Sequence, residues 1–384
     1  MTLLARFSGG VHPDPHKTTA QAATQVLPRP KQVVLPLRQH IGAPCQPLVK
    51  KGDHVDRGQP VGDADAPVSA PVHASLSGTV AAVEPRLSSN GRMELSVVID
   101  ADPEDTLWDG LPEGCGWHLD PGALDPALIR TRLRQAGLVG MGGAGFPTAV
   151  KASPKPGSEP DVVILNGCEC EPSITSDHRL MVEEPERVVM GLRLIMQATG
   201  ARRGIIAVEA NKPDAAAKLA QLTAGDPSIR VEVLPVRYPQ GAEKMLVWAT
   251  LRRAVPVGGI PLDVGVVVQN VATAAAAATA LVEGLPLVER IVTVSGRVAN
   301  PGNWRTPLGA SFSDLVAAAG GVTGTLAKVI AGGPMMGIAQ PSLEVPVTKT
   351  TGSVILWGPE DLNTTPAGPC IRCGRCVSAC PMGL

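Results

Sequence analysis

The chain has 384 residues, of which 44% are hydrophobic and 2% aromatic, and its formal net charge at pH 7 is −1. This length is enough for two or three domains, and with so few aromatic rings their cores must be built from aliphatic side chains. The near-neutral charge gives no electrostatic reason to expect nucleic acid, and we predict no nucleic-acid partner.

The opening stretch MTLLARFSGGVHPDPHK lacks an apolar core, so we expect no signal peptide and a cytosolic protein able to dock on a membrane partner. One later segment imitates a membrane span, because 19 uncharged residues lie between Asp263 and Glu283. Gln269 and Asn270 interrupt it, and its second half is mostly alanine. We therefore predict a buried strand at 264–268 followed by an alanine-rich helix.

Residues 1–124 form the first predicted domain, with a small β domain inside it at 28–102. The stretches PLVKKGDHVDRGQPVG and APVHASLSGTVAAVE indicate short strands separated by Gly and Asp turns. They resemble the barrel-sandwich domain of lipoyl and biotinyl carriers. No lysine lies between Gly52 and Arg92, so we expect a structural domain without a swinging arm.

Residues 125–286 form the second predicted domain. A helix is expected from the N-cap Asp125 to Gly137, with Pro126 in its first turn. From Asp161 onward, DVVILNG, GIIAVEA and IRVEVLPV predict strands, and the segments between them predict helices. This alternation is typical of an α/β unit with a parallel sheet.

A glycine-rich loop, GLVGMGGAGFPTAVK, carries Gly140, Gly142 and Gly145 at GxGxxG spacing. A dinucleotide fingerprint should follow a strand and enter a helix, but here a helix precedes the loop and a strand follows it. The ordinary Rossmann interpretation therefore fails. Bare backbone still allows close approach of a flat or anionic ligand, while a plain tight turn stays an open alternative.

Polar residues follow several predicted strands, at the sheet edge where α/β proteins bind ligands. Glu243 and Lys244 are neighbours, as they would also be on an ordinary surface helix. For these two residues, a ligand contact and a plain helix surface therefore both stay open. The candidates are Asn166, Glu169, Glu171, Gly241, Glu243, Lys244 and Asn270.

Three weaker patterns are not expected to carry chemistry. Cys168 and Cys170 lack a second nearby cysteine pair, and prolines between His12 and His16 forbid a helix that would put both on one face. His178 stands between Asp177 and Arg179, which favours a surface or salt-bridge residue over a catalytic base.

The third predicted domain covers 287–345. RIVTVSGRVANPGNWRTPLGASFSDLVAAAGG predicts two strands joined by an Asn-Pro-Gly turn, then a helix capped by Ser313 and closed by Gly320–Gly321. This stretch resembles the SLBB variety of β-grasp domain.

The last region, 346–384, is predicted to be a linker and the first half of a ferredoxin-type domain. Its cysteines stand at C-x2-C-x2-C-x3-C-P spacing, which is the bacterial iron–sulfur run. Zinc is the weaker alternative, because zinc sites use two separated pairs. The predicted metal ligands are Cys370, Cys373, Cys376 and Cys380.

Taken together, FSGGVHPDPHK, GLVGMGGAGFPTAVK and LNGCECEPSITSDHRLM, followed by YPQGAEKMLVWATLRRAVPVGGIPLDVGVVVQNVATA, resemble the C subunit of the Rnf (Rsx) ion-translocating electron transport complex. The middle is also similar to the NADH-binding flavin subunit of respiratory complex I. The resemblance implies an α/β multidomain fold: a barrel-sandwich-like β domain, a Rossmann-like FMN/NADH domain, an SLBB β-grasp domain and the start of a ferredoxin-like 2×[4Fe–4S] domain.

The resemblance also implies cofactors and contacts: FMN, NAD(H) and [4Fe–4S] clusters. FMN and its phosphate would be cradled by the glycine loop and Lys151, and the flavin held by the two asparagines. Glu169 and Glu171 would line the nicotinamide and ribose side, and Phe146 would stack near the dinucleotide. The implied cofactor residues are Gly140, Gly142, Gly143, Gly145, Phe146, Lys151, Asn166, Glu169, Glu171, Gly241, Glu243, Lys244 and Asn270.

Two positions depart from the pattern of the flavin subunit. Cys168 replaces an aspartate, and Ala242-Glu243-Lys244 replaces a later acidic pair. The family also continues into a second cysteine run that this sequence lacks, so we expect a truncated form with incomplete clusters.

In activity, the resemblance implies hydride transfer between nicotinamide and flavin, then single electrons to the clusters. The expected place is peripheral, on the cytoplasmic side of the bacterial inner membrane. The expected partners are membrane subunits of the complex and its ferredoxin-like subunit, with ferredoxin or flavodoxin reached indirectly. Two alternatives stay open: a cobalamin reductase of bacterial microcompartments, and a non-catalytic binding scaffold.

Overall fold

The structure is a computed structural model that describes residues 7–366 and 368–382. The ends of the first and last predicted domains, residues 1–6 and 383–384, lie outside the described residues. The strands are β1 Thr24–Val26, β2 Gln32–Pro36, β3 Gln46–Pro47, β4 His54–Val55, β5 Pro60–Asp63, β6 Val72–His73, β7 Gly78–Leu87, β8 Met93–Ala101, β9 Val162–Gly167, β10 Arg203–Glu209, β11 Ile229–Leu234, β12 Val266–Asn270, β13 Glu289–Gly296, β14 Gly302–Pro307, β15 Lys328–Ala331, β16 Ile338–Gln340 and β17 Ser353–Trp357.

The helices alternate with the strands mainly in the middle of the chain. Short 3₁₀ turns occupy Pro121–Ala123, Pro261–Val264 and Pro359–Asp361, and a π turn occupies Thr279–Glu283. The α-helices are α1 Pro126–Gln135, α2 Thr148–Lys151, α3 Ser176–Glu183, α4 Pro185–Thr199, α5 Pro213–Thr223, α6 Glu243–Leu251, α7 Val271–Ala278, α8 Phe312–Ala318 and α9 Arg375–Ala379.

The N-terminal β domain consists of two antiparallel sheets, as the short strands and turns predict. One sheet has the order β2-β8-β7-β4 and the other the order β3-β5-β6. Val33 and Leu35 on β2 and Val97 and Ile99 on β8 are fully buried. These buried aliphatic side chains form the core of the domain, as expected for a chain with so few aromatic residues.

The central sheet is parallel throughout and has the order β11-β10-β9-β12, so the predicted α/β unit is confirmed. The predicted helix at Asp125 is also confirmed, since the Asp125 side chain accepts a hydrogen bond from the Ala127 N–H. Helix α4 packs closely on α7 at Gly191, where an added Cβ would lie 1.8 Å from the Ala274 carbonyl oxygen.

The third sheet joins distant parts of the chain in the order β1-β14-β13-β17-β15-β16. The predicted hairpin is confirmed, because β13 and β14 pair antiparallel. The sheet also takes in β1 from near the N-terminus and β17, which lies beyond residue 345. The domain boundaries themselves stay predictions.

The predicted helix cap at Ser313 is wrong. Helix α8 begins after Ser311, whose hydroxyl accepts from the Asp314 N–H at 3.0 Å while the Asp314 carboxylate accepts from the Ser311 N–H at 3.0 Å. This reciprocal capping box satisfies two backbone donors at once, which a cap at Ser313 would not do. The predicted end of the helix is correct, and both Gly320 and Gly321 have positive φ.

The uncharged segment after Asp263 forms β12, α7 and the π turn that continues α7, in line with the predicted strand and helix. Across the residues that the structure describes, no helix is both long and apolar enough to cross a membrane.

Candidate functional site

The glycine-rich loop between α1 and α2 folds into a tight turn. The Gly140 N–H donates to the Phe146 carbonyl at 2.8 Å, and the Gly145 N–H donates to the Gly140 carbonyl at 3.1 Å. Gly143 is exposed with φ +119°, and a Cβ there would meet no described atom within 4 Å. The loop therefore presents bare backbone to solvent, as a cofactor cradle requires.

The start of α7 fixes this loop in place. A Cβ at Gly142 would lie 3.2 Å from the Asn270 Cβ, and the Met141 N–H donates to the Thr273 hydroxyl at 2.9 Å. Asn270 also caps α7, since its Oδ1 accepts from the Ala272 N–H at 2.9 Å. One asparagine thus orders both the helix and the face of the glycine loop.

The two predicted asparagines lie side by side at the carboxyl edge of the central sheet. Asn166 on β9 and Asn270 on β12 are partners in the strand register. Asn166 donates from Nδ2 to the Gly241 carbonyl at 2.8 Å and accepts at Oδ1 from the Cys168 N–H at 3.0 Å. A Cβ at Gly241 would lie 2.5 Å from the Cys168 carbonyl oxygen, so this close approach requires glycine.

Glu169 is buried at the same edge, with 8% of its surface exposed. Its Oε1 accepts from the Asp177 N–H at 2.9 Å, and its Oε2 has no hydrogen-bond partner within the described part of the chain. The Lys17 ammonium lies 3.9 Å from Oε2. A buried carboxylate oxygen of this kind can accept a hydrogen bond from a polar ligand.

Asp177 on α3 is a site residue that sequence reasoning missed. Its Oδ2 accepts from Asn270 Nδ2 at 2.6 Å. Burial raises the pKa of Asp177 to about 6 and the Glu169 charge adds to this, while Asn270 and Arg290 oppose it. The one available signal was its place in NGCECEPSITSDHR, directly after a strand of the sheet.

A cavity of about 360 Å³ lies behind the glycine loop, with Met141, Asp177 and Arg290 in its lining. Arg290 is buried, and desolvation lowers its pKa to about 10 although Asp177 acts in the opposite direction. A buried cation and a half-buried acid therefore face one cavity beside the glycine loop.

Glu171 turns away from the other acids. Its carboxylate accepts from the Met335 N–H at 2.8 Å and the Met336 N–H at 3.0 Å, in the turn between β15 and β16. Burial raises the pKa of Glu171. The structure thus uses Glu171 to tie the central domain to the third sheet, and its role on the nicotinamide and ribose side stays a prediction.

Lys151 at the end of α2 forms an ion pair with Glu243 at the start of α6, so the structure brings these two predicted residues together. Lys244 instead donates to the Pro256 carbonyl at 3.1 Å. Phe146 is half-buried at the base of the glycine loop. Lys151 is therefore held near the loop, whereas Lys244 is directed to another segment.

A second cavity, of about 240 Å³, lies at the carboxyl edge of β9 and β10. Several polar atoms of its lining residues are buried without a hydrogen-bond partner among the described residues. They are Glu169 Oε2, Glu209 Oε1, Asn211 Nδ2 and Arg237 Nε. Such a lining of acceptors and donors suits a polar, hydroxyl-bearing ligand.

The predicted iron–sulfur cysteines lie in and around α9. Cys370, Cys373 and Cys376 are exposed, and Cys380 is half-buried. Within residues 7–366 and 368–382, no three His, Cys, Asp or Glu side chains are grouped so that they could hold a metal ion. The spacing and thiol chemistry suit a cluster but the geometry does not gather the ligands, so the metal assignment stays a prediction.

The patterns judged weak in the sequence behave as structural features. Burial raises the pKa of Cys168 well above its usual range and that of Cys170 to about 11, so neither thiol is activated. His178 is buried, with Nε2 2.7 Å from Asp214 Oδ1. His178 therefore has a carboxylate partner, in keeping with its interpretation as a structural residue, and it lies inside the protein rather than on its surface.

Three family comparisons cover most of the chain. Residues 5–104 match the RnfC barrel sandwich hybrid domain, residues 133–279 match the Nuo51 FMN-binding domain, and residues 291–339 match the SLBB domain. The second match contains the glycine loop and both asparagines.

Curated relatives match along almost the whole chain. The C subunit of the Na(+)-translocating ferredoxin:NAD(+) oxidoreductase complex of Acetobacterium woodii is 43% identical over 98% of this chain and 85% of its own length. The C subunit of the proton-translocating ferredoxin:NAD(+) oxidoreductase complex of Clostridium ljungdahlii is 41% identical over 100% of this chain and 83% of its own length.

Solved structures match part of the fold. A chain of the NAD+-reducing [NiFe]-hydrogenase in the air-oxidized state aligns with TM-score 0.53 and 27% identity, over 66% of this chain and 50% of that chain. The same enzyme in the H2-reduced state aligns with TM-score 0.52 and 25% identity. This chain thus spans about half of the hydrogenase chain that it matches.

Proposed function

Since the chain belongs to the family of C subunits of Rnf-type ion-translocating ferredoxin:NAD+ oxidoreductase complexes, we propose that it is the NAD(H)- and FMN-binding subunit of such a complex. In this role it exchanges electrons between NAD(H) and ferredoxin-type carriers. The observation that carries the proposal is the exposed glycine loop fixed against Asn270, in register with Asn166 at the carboxyl edge of a parallel sheet.

The residues at this edge fit FMN. Gly143 leaves open space where a side chain would stand, and the loop N–H groups suit the phosphate. Lys151 would add a positive charge, and Asn166 and Asn270 each keep amide capacity beyond the bonds they already make. Together these residues would hold the phosphate at the loop and the flavin along β9 and β12.

NAD(H) would bind beside the flavin, where the 240 Å³ cavity offers buried acceptors and donors. Glu169 is suited to a ribose hydroxyl, because its Oε2 is buried with no partner in the described residues. Phe146 and Glu171 are further family-derived candidates for this side, and Gly241, Glu243 and Lys244 for the neighbouring segment.

FMN held by the glycine loop, Asn166 and Asn270 would supply both two-electron and one-electron redox chemistry. The chain's own task is to bind and orient, since hydride transfer depends on the relative position of the two rings and needs no general base. The hydrogen bond between His178 and Asp214 agrees with this, because it engages that imidazole in a structural contact.

The electron exit is proposed to be [4Fe–4S] chemistry at Cys370, Cys373, Cys376 and Cys380. The partners would be the membrane subunits and the ferredoxin-like subunit of the complex, with ferredoxin or flavodoxin reached indirectly. The proposed place is peripheral, on the cytoplasmic side of the membrane. The curated relatives described above do not favour the cobalamin-reductase alternative.

The test replaces Gly143 with valine. A β-branched side chain at φ +119° strains the loop and fills the open cradle, so we expect the FMN dissociation constant to rise by roughly tenfold or more. Flavin fluorescence titration measures the binding, and NADH-dependent ferricyanide reduction measures the activity.

Gly157→Val is the matched control, because Gly157 also has positive φ and open space around it but lies in a loop away from the sheet edge. It should bind FMN as tightly as the parent. Absence of both FMN binding and NADH oxidation in the parent would overturn the proposal in favour of a binding scaffold.

A further inference from the structure

The N-terminal segment Phe7–Lys17, here called the strap, lies across the carboxyl edge of the central sheet. Val11 pairs with Tyr238, with N–H to carbonyl distances of 2.8 Å in both directions. The Ser173 N–H donates to the Pro15 carbonyl at 3.0 Å, and His12 Nδ1 lies 3.2 Å from the Val236 carbonyl oxygen. The strap thus contacts the segments that follow both β9 and β11.

Lys17 anchors one end of the strap. Its ammonium donates to the carbonyls of Glu169, Glu171 and Ile174 at 2.7, 2.8 and 2.6 Å. Burial lowers the pKa of Lys17, with the Glu169 charge acting in the opposite direction. Three short carbonyl contacts to one ammonium fix this end on the loop that carries the acidic site residues.

Arg237 anchors the other end. Its guanidinium donates to the carbonyls of Phe7 and Gly9 at 2.8 and 3.1 Å, and it lies 5.0 Å from the centre of the Phe7 ring. Phe7 is buried, with 4% of its surface exposed. Hydrogen bonds and a cation–π contact therefore hold the start of the strap to the segment between β11 and α6.

Between these anchors, Gly9 and Gly10 together contact the sheet edge and the cysteine-rich segment, which is residues 370–380. The Gly10 N–H donates to the Ala379 carbonyl at 2.8 Å. A Cβ at Gly9 would lie 2.8 Å from that oxygen, and a Cβ at Gly10 would lie 2.9 Å from the Tyr238 carbonyl oxygen. Both glycines have positive φ, so conformation and space each require the absence of a side chain.

We propose that the strap is the positioning element that seats the cysteine-rich segment on the carboxyl edge of the flavin-binding sheet. Ala379 lies directly before Cys380, and Tyr238 lies three residues before Gly241, which contacts Asn166. The strap therefore connects the predicted electron exit to the predicted flavin edge through backbone contacts. A role of the strap in electron transfer rests on the proposed function. The contact between the strap and the cysteine-rich segment does not.

The first experiment measures amide hydrogen exchange in peptides covering 368–382 and 7–17 of the purified full chain. Gly10→Val should raise exchange in both peptides, because its side chain clashes with Tyr238 and displaces the N–H from Ala379. Loss of one backbone hydrogen bond corresponds to a roughly tenfold larger open population. Arg237→Gln is the second variant, since it loosens the strap without backbone strain.

Gly52→Val is the matched control. Gly52 has φ +90° and no described atom within 4 Å of an added Cβ, so this variant carries the same backbone strain on the β domain without touching the strap. Its exchange in 368–382 should equal that of the parent. If Arg237→Gln and Gly10→Val both leave exchange in 368–382 unchanged while the proteins stay folded, the seating proposal is wrong.

A second readout separates this inference from the proposed function. In protein loaded with FMN and reconstituted with iron and sulfide, Gly10→Val should slow NADH-dependent bleaching of the iron–sulfur absorbance by roughly tenfold more than it slows the NADH–ferricyanide rate. Equal bleaching rates in the parent and Gly10→Val would overturn the positioning role. A parent without NADH–ferricyanide activity would overturn the proposed function and leave the exchange result to decide the seating.

Discussion

At the scale of single residues, the site depends on a few buried and half-buried polar side chains that are linked by hydrogen bonds. Glu169 accepts from the Asp177 backbone, Asp177 accepts from Asn270, and Asn270 faces Gly142 of the loop. Because these linked groups are largely shielded from water, a change of charge at one of them alters the hydrogen bonding of the others. Protonation of Asp177 should therefore change the free energy of unfolding.

We predict that Asp177 makes stability fall as pH rises. Its pKa is raised from 3.8 to about 6 by burial first and by Glu169 second, so its stabilising contribution is full below pH 4 and lost by about pH 6. The shift corresponds to about 3 kcal/mol. Urea unfolding of the parent and Asp177→Asn from pH 4 to 7 measures it, and the difference between them should change through this window.

Asp65→Asn serves as control for this measurement, since Asp65 is exposed in a loop of the β domain. Its unfolding free energy should run parallel to that of the parent. Parallel curves for the parent and Asp177→Asn would contradict a titrating buried acid at this position.

At the scale of elements, the contact between α4 and α7 determines how α7 presents Asn270 to the loop. Gly191 lies where the two helices are closest, and an alanine Cβ there would approach the Ala274 carbonyl oxygen at 1.8 Å. Helix propensity by itself favours alanine over glycine by about 1 kcal/mol. Overpacking costs about 1–3 kcal/mol, so the steric overlap outweighs the gain in helix propensity and an alanine here lowers the free energy of unfolding.

We predict that Gly191→Ala destabilises the chain and weakens FMN binding, because α7 must shift away from the loop. Gly225→Ala is the control, since an added Cβ at Gly225 meets no described atom within 4 Å. Urea unfolding should show a loss of about 1–2 kcal/mol for Gly191→Ala and little change for Gly225→Ala. A stabilised Gly191→Ala would mean that the helices are not in this close contact.

The elements that the sequence predicts well are those with local signals. The Asp125 cap, the alternating strands and helices from Asp161, and the hairpin before α8 depend on neighbouring residues. The Ser311 cap was missed because two serines stand close together, and only Asp314 three residues after Ser311 decides between them.

Long-range pairings have no such local signal. β1 joins the third sheet by pairing with β14, and Glu171 binds the Met335 and Met336 N–H groups. These contacts depend on tertiary packing across more than 150 residues, so the motif around Glu171 gives no sign of its tie to the third sheet. By contrast, the places of Asn166 and Asn270 at the ends of strands were predicted from local patterns, and the structure shows that these two strands are neighbours.

At the scale of the whole molecule, three regions meet at the rim of the 360 Å³ cavity through linked ion pairs. Glu289 of β13 pairs with Arg57 of the β domain at 2.9 Å and with Arg305 of β14 at 3.0 Å. Arg305 also pairs with Glu184 between α3 and α4. A network of this kind contributes more than isolated surface pairs, and salt weakens its partly exposed members.

We predict that Arg305→Met lowers the unfolding free energy by about 1 kcal/mol at low salt and reduces its dependence on NaCl. Arg230→Met is the control, because Arg230 pairs with Glu232 within one strand and joins no two regions. Urea unfolding at low and at high NaCl measures both variants. Equal salt dependence of Arg305→Met and the parent would show that the network does not hold the regions together.

The seating of the strap also has a consequence for the order of events during synthesis. Gly10 bonds to Ala379, and Thr24 of β1 pairs with Asn303, so both N-terminal contacts wait for residues that are synthesised much later than the strap. At about 5–20 residues per second, the strap would remain undocked for roughly 20–75 s. During this interval the β domain, the central sheet and the hairpin of β13 and β14 can form from contacts nearer in sequence. Docking of the strap is then a late step of high contact order.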